Sequence, residues 1–148
     1  MVRLVKMTPY FFEHCGDDSE LLSKQGSPHV LLLRMIYHGR RLAFALPLRS
    51  NISPMTPAEL FYPLPPNPRT RPSMRHGLHF VKMFPVSSEC YQTFRLKTNS
   101  YYTELVRYLD KHYKDIVNKS QTYLDAYASG EHPRYAVDID RMLERLGL

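Results

Sequence analysis

The sequence predicts an α+β fold, and three observations carry that expectation. Apolar, β-prone runs fill the chain up to about residue 90, the apolar spacing becomes helical from Thr98 onward, and no internal repeat relates the two parts. Strands first and helices last is the order of an α+β domain, and 148 residues suit a single domain with a core that needs no staples.

The elements follow in order. Val2 to Met7 alternates as a first strand closed by Thr8-Pro9, Tyr10 to His14 is a short aromatic turn or helix, and Asp17-Asp18-Ser19 can cap a helical piece through Ser23. Lys24 to Pro28 is a loop leading into a hairpin that spans Pro28 to Ile52. Its two apolar runs flank the turn His38-Gly39-Arg40, where glycine supplies the positive φ of a tight reversal. The second run ends in Leu46-Pro47-Leu48 and delivers Arg49, Ser50 and Asn51, a cation, a hydroxyl and an amide, to the point where a rigid strand becomes a loop.

From Ser53 to Pro72 the prolines at 54, 57, 63, 65, 66, 68 and 72 exclude a central strand or long helix. One short turn or strand is expected around Ala58 to Tyr62, with Leu64 to Arg71 extended. Met74 to Phe84 resumes as a strand, with Leu78, Phe80 and Lys82 on one face and His79, Val81 and Met83 on the other. Tyr101, Leu105, Tyr108, Leu109, His112 and Ile116 then fit one amphipathic helix from Ser100 to about Val117, capped by Thr98, Asn99 or Ser100. Ser120 to Ala128 continues as a second helix or as a bent extension of the first, ending at Gly130, and Pro133 opens a last helix striped by Ala136, Ile139, Leu143 and Leu146.

Charge placement narrows the function. The net charge is +6, and between residues 21 and 88 nine Lys and Arg side chains face Glu59 alone, so the excess sits on the expected sheet and its loops. That is what a polyanion-binding face needs, although a merely solvated basic surface carries the same signature. Cys15 and Cys90 are too few for a disulfide framework and lack metal-ligand spacing, which fits a reducing cytoplasm. No segment approaches the roughly 18 apolar residues of a membrane span, so no membrane partner is expected.

Cutting RNA without a metal needs a group to take the 2′-hydroxyl proton, donors for the phosphate oxygens and an acid for the leaving oxygen. The basic stretch offers Lys24, His29, Arg49, Ser50, His76, His79 and Lys82 for these roles. Metal chemistry is less favoured, because His76 and His79 fall on opposite faces of a strand and only Glu59 supplies a nearby carboxylate; no cofactor is expected. Gly-rich phosphate loops are absent.

The order of parts resembles a known family. An apolar strand, a basic turn, a strand ending Pro47-Leu48-Arg49-Ser50, a later Gly77-Leu78-His79-Phe80-Val81-Lys82-Met83-Phe84-Pro85-Val86, and helices containing Asp115-Ile116-Val117-Asn118-Lys119-Ser120 are similar to the ToxN/AbiQ toxins of type III toxin–antitoxin systems, with their TenpN and CptN relatives. The resemblance implies a strongly bent antiparallel sheet of the Kid/MazF type with helices packed around it. It implies a metal-independent endoribonuclease leaving 2′,3′-cyclic phosphate and 5′-hydroxyl ends on target mRNA. It implies inhibition by a small structured RNA cut from a repeat array, held with the toxin in a closed protein–RNA hetero-oligomer.

Carried over by residue, the family's hydroxyl falls on Ser50, its strand-start lysine near His29 with Lys24 close by, and its helical Lys-Ser pair on Lys119 and Ser120. Where a member of the family has Thr-Ser-Pro-Lys this chain has Arg49-Ser50-Asn51-Ile52, so Arg49, His29, His76 or Lys82 stands in for the missing groups. The expectation is therefore that Ser50 and Arg49 hold the scissile phosphate and that His29 or Lys24 assists proton transfer. Arg40, Arg41, Arg69, Arg71, Arg75, His76, His79, Lys82, Lys119 and Ser120 are expected to face RNA. A non-catalytic RNA-binding module, or an adaptor using the proline-rich loop, are the alternatives.

Overall fold

The structure, a computed structural model, describes residues 2–21, 30–93 and 100–148. Lys24 and His29, the expected helical end at Ser23, and the caps at Thr98 and Asn99 lie outside the described residues. β1 (Arg3–Met7) ends at Thr8, and α1 (Pro9–Cys15) begins with the proline in its first turn, where a missing N–H costs nothing. The helical piece expected from Asp17 is not formed among the described residues. Its carboxylates are engaged elsewhere: Asp17 pairs with Arg141 and Arg145, and Asp18 accepts from the backbone N–H groups of Glu20 and Asp138.

β2 (Val30–Tyr37) and β3 (Arg40–Ile52) make the hairpin, with Tyr37 opposite Arg40. The turn is the two residues His38-Gly39, both left-handed at φ 48° and 75°, the geometry that matches strand twist. β3 is the spine of the molecule: β2 covers one edge, while β5 (Arg75–His79) and β6 (Phe84–Val86) share the other. One uninterrupted strand from Met74 to Phe84 is therefore not what forms. Ala45 and Leu48 are three residues apart on β3, yet their partners Phe84 and Leu78 are six apart, so the surplus leaves the ladder as a 3₁₀ turn, Phe80–Lys82.

In the proline-rich stretch a 3₁₀ turn, Ala58–Leu60, precedes β4 (Phe61–Leu64), which pairs only with β5 and so tolerates Pro63 at the sheet edge. β7 (Tyr91–Thr93), too short to announce itself in the sequence, adds to β1. The described strands form one seven-stranded antiparallel sheet in the order β4-β5-β3-β2-β1-β7, with β6 beside β3.

The long first helix is interrupted earlier than its apolar spacing suggests. α2 (Ser100–Lys111) and α3 (Tyr113–Ala128) meet at His112, whose backbone sits at φ −102°, ψ 9° and whose ring packs 4.2 Å from that of Tyr108. α4 (Ile139–Leu146) starts not at Pro133 but after Asp138, whose carboxylate accepts from Arg141 N. Tyr135, at φ 69°, cannot be helical and sets that later start.

The sheet has a core on each face. Leu31, Leu33, Phe44, Leu46 and Leu78 pack against Leu109, Ile116 and Leu124 of α2 and α3, while Val5, Ala45 and Phe84 pack against Phe11 of α1 and Met142 of α4. Past Leu32, β2 has no β1 partner, and the Gln121 amide fills in, accepting from Ile36 N at 2.9 Å and donating to Ile36 O at 2.7 Å. No described helix is long and apolar enough to cross a membrane.

Candidate active site at the bulged end of the third strand

The end of β3 remote from the hairpin is shaped by an irregularity. Between Arg49, opposite Gly77, and Ile52, opposite Arg75, β3 uses one residue more than β5, so a bulge falls on Ser50-Asn51 across from His76. Gly77 permits the close approach, since a Cβ there would lie 2.6 Å from the Tyr62 carbonyl oxygen of β4.

The proline-rich loop folds back onto this bulge. Asn51 clamps it through Nδ2, donating to Arg69 O at 3.1 Å, and through Oδ1, accepting from Arg71 N at 2.9 Å. Asn67 Nδ2 donates to Ser50 Oγ at 2.8 Å, and Asn67 Oδ1 accepts from Arg69 N at 2.8 Å and Thr70 Oγ1 at 3.0 Å. An amide NH₂ can only donate, so Ser50 is the acceptor and its own hydroxyl hydrogen is left to offer to a ligand.

His76 Nδ1 lies 2.7 Å from Pro65 O, and because a carbonyl only accepts, the proton is on Nδ1 and the lone pair on Nε2. Burial lowers the His76 pKa from 6.5, with the bond to Pro65 acting the other way. Tyr101 of α2 closes this side, its ring centroid 6.5 Å from that of His76. Burial raises the Tyr101 phenol.

Arg49 belongs to a second cluster. One of its guanidinium nitrogens is 3.3 Å from His79 Nδ1, and since guanidinium has only donors, His79 is neutral with its hydrogen on Nε2. Burial first, then the charges of Arg49 and Lys82, hold its pKa down to about 4. Strand alternation explains the division: Phe44 and Leu46 face α2 and α3, Ala45 faces the other core, and Arg49 follows the odd positions while Ser50 joins Asn67. Ser50 and Arg49, expected together on one phosphate, thus leave the strand on opposite faces, each with its own histidine.

Of the remaining expected residues, Arg69, Arg71 and Arg75 are exposed around this same end. Arg40 and Arg41 are exposed at the hairpin end, roughly 30 Å of strand away. Lys82 is 6% exposed, bonded to Glu20 Oε2 at 2.7 Å and to Tyr135 O at 2.9 Å, so its charge is committed inside the protein rather than to a groove. Ser120 is fully buried and donates to Ile116 O within α3, which removes it from any RNA surface. Lys119 is exposed, 3.6 Å from Asp115 and 5.2 Å above the Tyr62 ring, where it borders a separate groove of about 940 Å³.

Asn67 and Tyr101 are site residues that sequence reasoning missed, and Asn51, expected beside Ser50, proves to be the clamp on the loop. The signal for Asn67 was present: Asn67-Pro68-Arg69-Thr70 is a turn, not extended chain, with Thr70 N bonded to Asn67 O at 3.0 Å. Among the described residues no three His, Cys, Asp or Glu side chains gather as metal ligands.

No protein-family model matches the chain, and no curated protein matches it in sequence. Solved structures do match in fold. AbiQ, a lactococcal anti-phage endoribonuclease of a type III toxin–antitoxin system, superposes with a TM-score of 0.71 at 13% identity over 99% of this chain and 96% of its own. A chain from a bacterial type III toxin–antitoxin system, whose toxin is selectively inhibited by a non-coding RNA pseudoknot, gives 0.70 at 16% identity over 99% and 96%. The chain has the ToxN/AbiQ fold. A third ToxN/AbiQ chain, from a bacterial antiviral system regulated by a processed non-coding RNA, gives 0.67 at 12% identity over 98% and 97%. The Pro47-Leu48-Arg49-Ser50 stretch that carried the ToxN/AbiQ resemblance runs into the bulge just described, while the Asp115 to Ser120 stretch lies in α3.

Proposed function

We propose that the chain is an endoribonuclease toxin of a type III toxin–antitoxin system, cutting target mRNA in the cytoplasm and held inactive in a closed complex with a small structured antitoxin RNA. The observation that supports this reading best is the Ser50 hydroxyl, presented on a bulge with its hydrogen unspent, in register with a neutral His76 and ringed by Arg69, Arg71 and Arg75. Ser50 donates to a non-bridging phosphate oxygen, and the basic rim holds the backbone on either side. His76 Nε2 accepts the 2′-hydroxyl proton; the 2′-oxygen bonds to phosphorus as the bond to the 5′-oxygen breaks, leaving a 2′,3′-cyclic phosphate. The departing 5′-oxygen takes its proton from Lys24 or His29. Arg49, oriented by His79, adds positive charge from the other face. No step calls for a metal.

Purified protein is expected to cut single-stranded RNA in EDTA, and Ser50→Ala to lose most of that activity with an unchanged circular dichroism spectrum. Unchanged cleavage by Ser50→Ala would remove the serine from the mechanism. RNA that is bound with salt-dependent affinity but never cut would replace the enzyme with a binding module.

A further inference from the structure

Next to the Ser50 cluster lies a groove of about 560 Å³ between the Pro65-Pro66 segment and one side of α2, lined there by Tyr101, Leu105 and Tyr108. It is continuous with the candidate site at two points. The Tyr101 ring lies 6.5 Å from that of His76, and the Pro65 carbonyl accepts from His76 Nδ1. The groove's apolar lining is two prolines, Leu105 and two phenol rings, while its mouth carries Lys111 and an exposed Glu104–Arg107 pair 3.2 Å apart. An apolar slot with a net positive mouth, one residue away from a phosphate-binding hydroxyl, fits a nucleotide: a base between proline and tyrosine, its phosphate at the rim.

We propose that this groove receives one unpaired nucleobase of the RNA, the one adjoining the bond broken beside Ser50, and that Tyr108 is the residue it stacks on. The proposal rests on the reading of the chain as an RNA-cleaving protein and adds to it a place where sequence preference is read. His112 backs the Tyr108 ring, at 4.2 Å between centroids and 37° between planes, so Tyr108 is held in place.

The test is an abasic scan. A single-stranded RNA that the protein cuts is prepared with one abasic nucleotide at each position in turn, and both binding and cleavage are measured for the unaltered protein, Tyr108→Phe and Tyr108→Ala. With the unaltered protein and Tyr108→Phe, an abasic nucleotide beside the cut lowers affinity or rate about ten-fold, the contribution of one stacked base; with Tyr108→Ala the same substitution has almost no further effect. Equal sensitivity to the abasic nucleotide in Tyr108→Ala, or no sensitive position beside the cut, overturns the pocket while leaving the nuclease reading intact. RNA bound but uncut overturns the nuclease reading, and the scan then tests the pocket through affinity alone. RNA neither bound nor cut overturns both.

Discussion

The two ends of β3 carry the same kind of charge and are built in opposite ways. At the hairpin end Arg40 and Arg41 stand exposed beside a two-residue turn in which a Cβ on Gly39 would meet nothing within 4 Å. At the bulged end the same distance rule is inverted: a Cβ on Gly77 would strike Tyr62 O at 2.6 Å, two histidines are buried and neutral, and two asparagines lace a loop to the strand. Positive charge is common to both; among the described residues only the bulged end also has a serine hydroxyl held by an amide donor and an imidazole whose proton is fixed by a carbonyl. On the proposed reading, the contrast teaches that the basic stretch attracts RNA and the backbone irregularity handles it.

The sharpest way to break the contrast is to truncate one side chain at each end. Ser50→Ala is expected to slow cleavage of a short single-stranded RNA by at least about 100-fold, as loss of one phosphate donor does elsewhere. The double variant Arg40→Ala, Arg41→Ala should change it by less than about three-fold at the same salt, since roughly 30 Å of strand separates those cations from Ser50. Comparable losses in both would show that charge alone makes the site.

Acid separates the ends next. His79 falls from an ordinary 6.5 to about 4 in the folded protein, so between those values the unfolded chain binds a proton that the folded one refuses. Stability is therefore full above pH 6.5, declines as the pH falls through that window by roughly 3 kcal/mol, and levels off below pH 4. His76, also lowered, adds to the slope in the same direction. Urea midpoints at pH 7, 5.5 and 4.5 should fall steadily, and His79→Gln should flatten the decline. A slope unchanged in His79→Gln would mean that Arg49 is not held by a neutral imidazole.

How much of this was legible beforehand follows from how local each signal is. The hairpin, the serine delivered by Pro47-Leu48 and the α+β order depend on nearest neighbours and periodicity, and the structure has all three. The 3₁₀ excursion at Phe80–Lys82 was hidden because it comes from matching two strands at two places, a register that no single run of residues contains. Lys82 read as a groove cation because its partner Glu20 lies 62 positions away. Arg49 and Ser50 looked like a pair since adjacency in sequence is proximity in a loop, but adjacency in a strand is opposition. Asn67 was passed over as part of a stiff proline run, although its own Asn-Pro step predicts a turn.

Backbone tolerance sharpens the comparison further. Gly77→Ala must push β4 away from β5 or strain the bulge, with an expected cost of about 2 kcal/mol in urea unfolding and a fall in cleavage, because Asn51, Ser50 and His76 all take their positions from that ladder. Gly39→Asn keeps a left-handed residue that asparagine accepts in open space and should cost less than about 0.5 kcal/mol. Were the two substitutions equally mild, the close packing of β4, β5 and β3 would not be what shapes the site.

A smaller effect than that of Gly77→Ala is expected from a cation that belongs to neither end. Lys82 links the segment at Glu20 to the backbone of Tyr135 ahead of α4, and the Glu20 side chain, 31% exposed, can rehydrate when that link is cut. Lys82→Met fills the space and leaves a carboxylate that water can reach, so the loss should be about 1 kcal/mol rather than the larger penalty of stranding a wholly buried charge. The slope of log affinity for RNA against log salt should not change, because a lysine that never meets a phosphate releases no counterion. The same measurement on Arg71→Ala, at the bulged end, should shift the slope by nearly one unit. A shift of that size in Lys82→Met instead would return Lys82 to the RNA surface and place the true groove on the Arg49 face of the sheet.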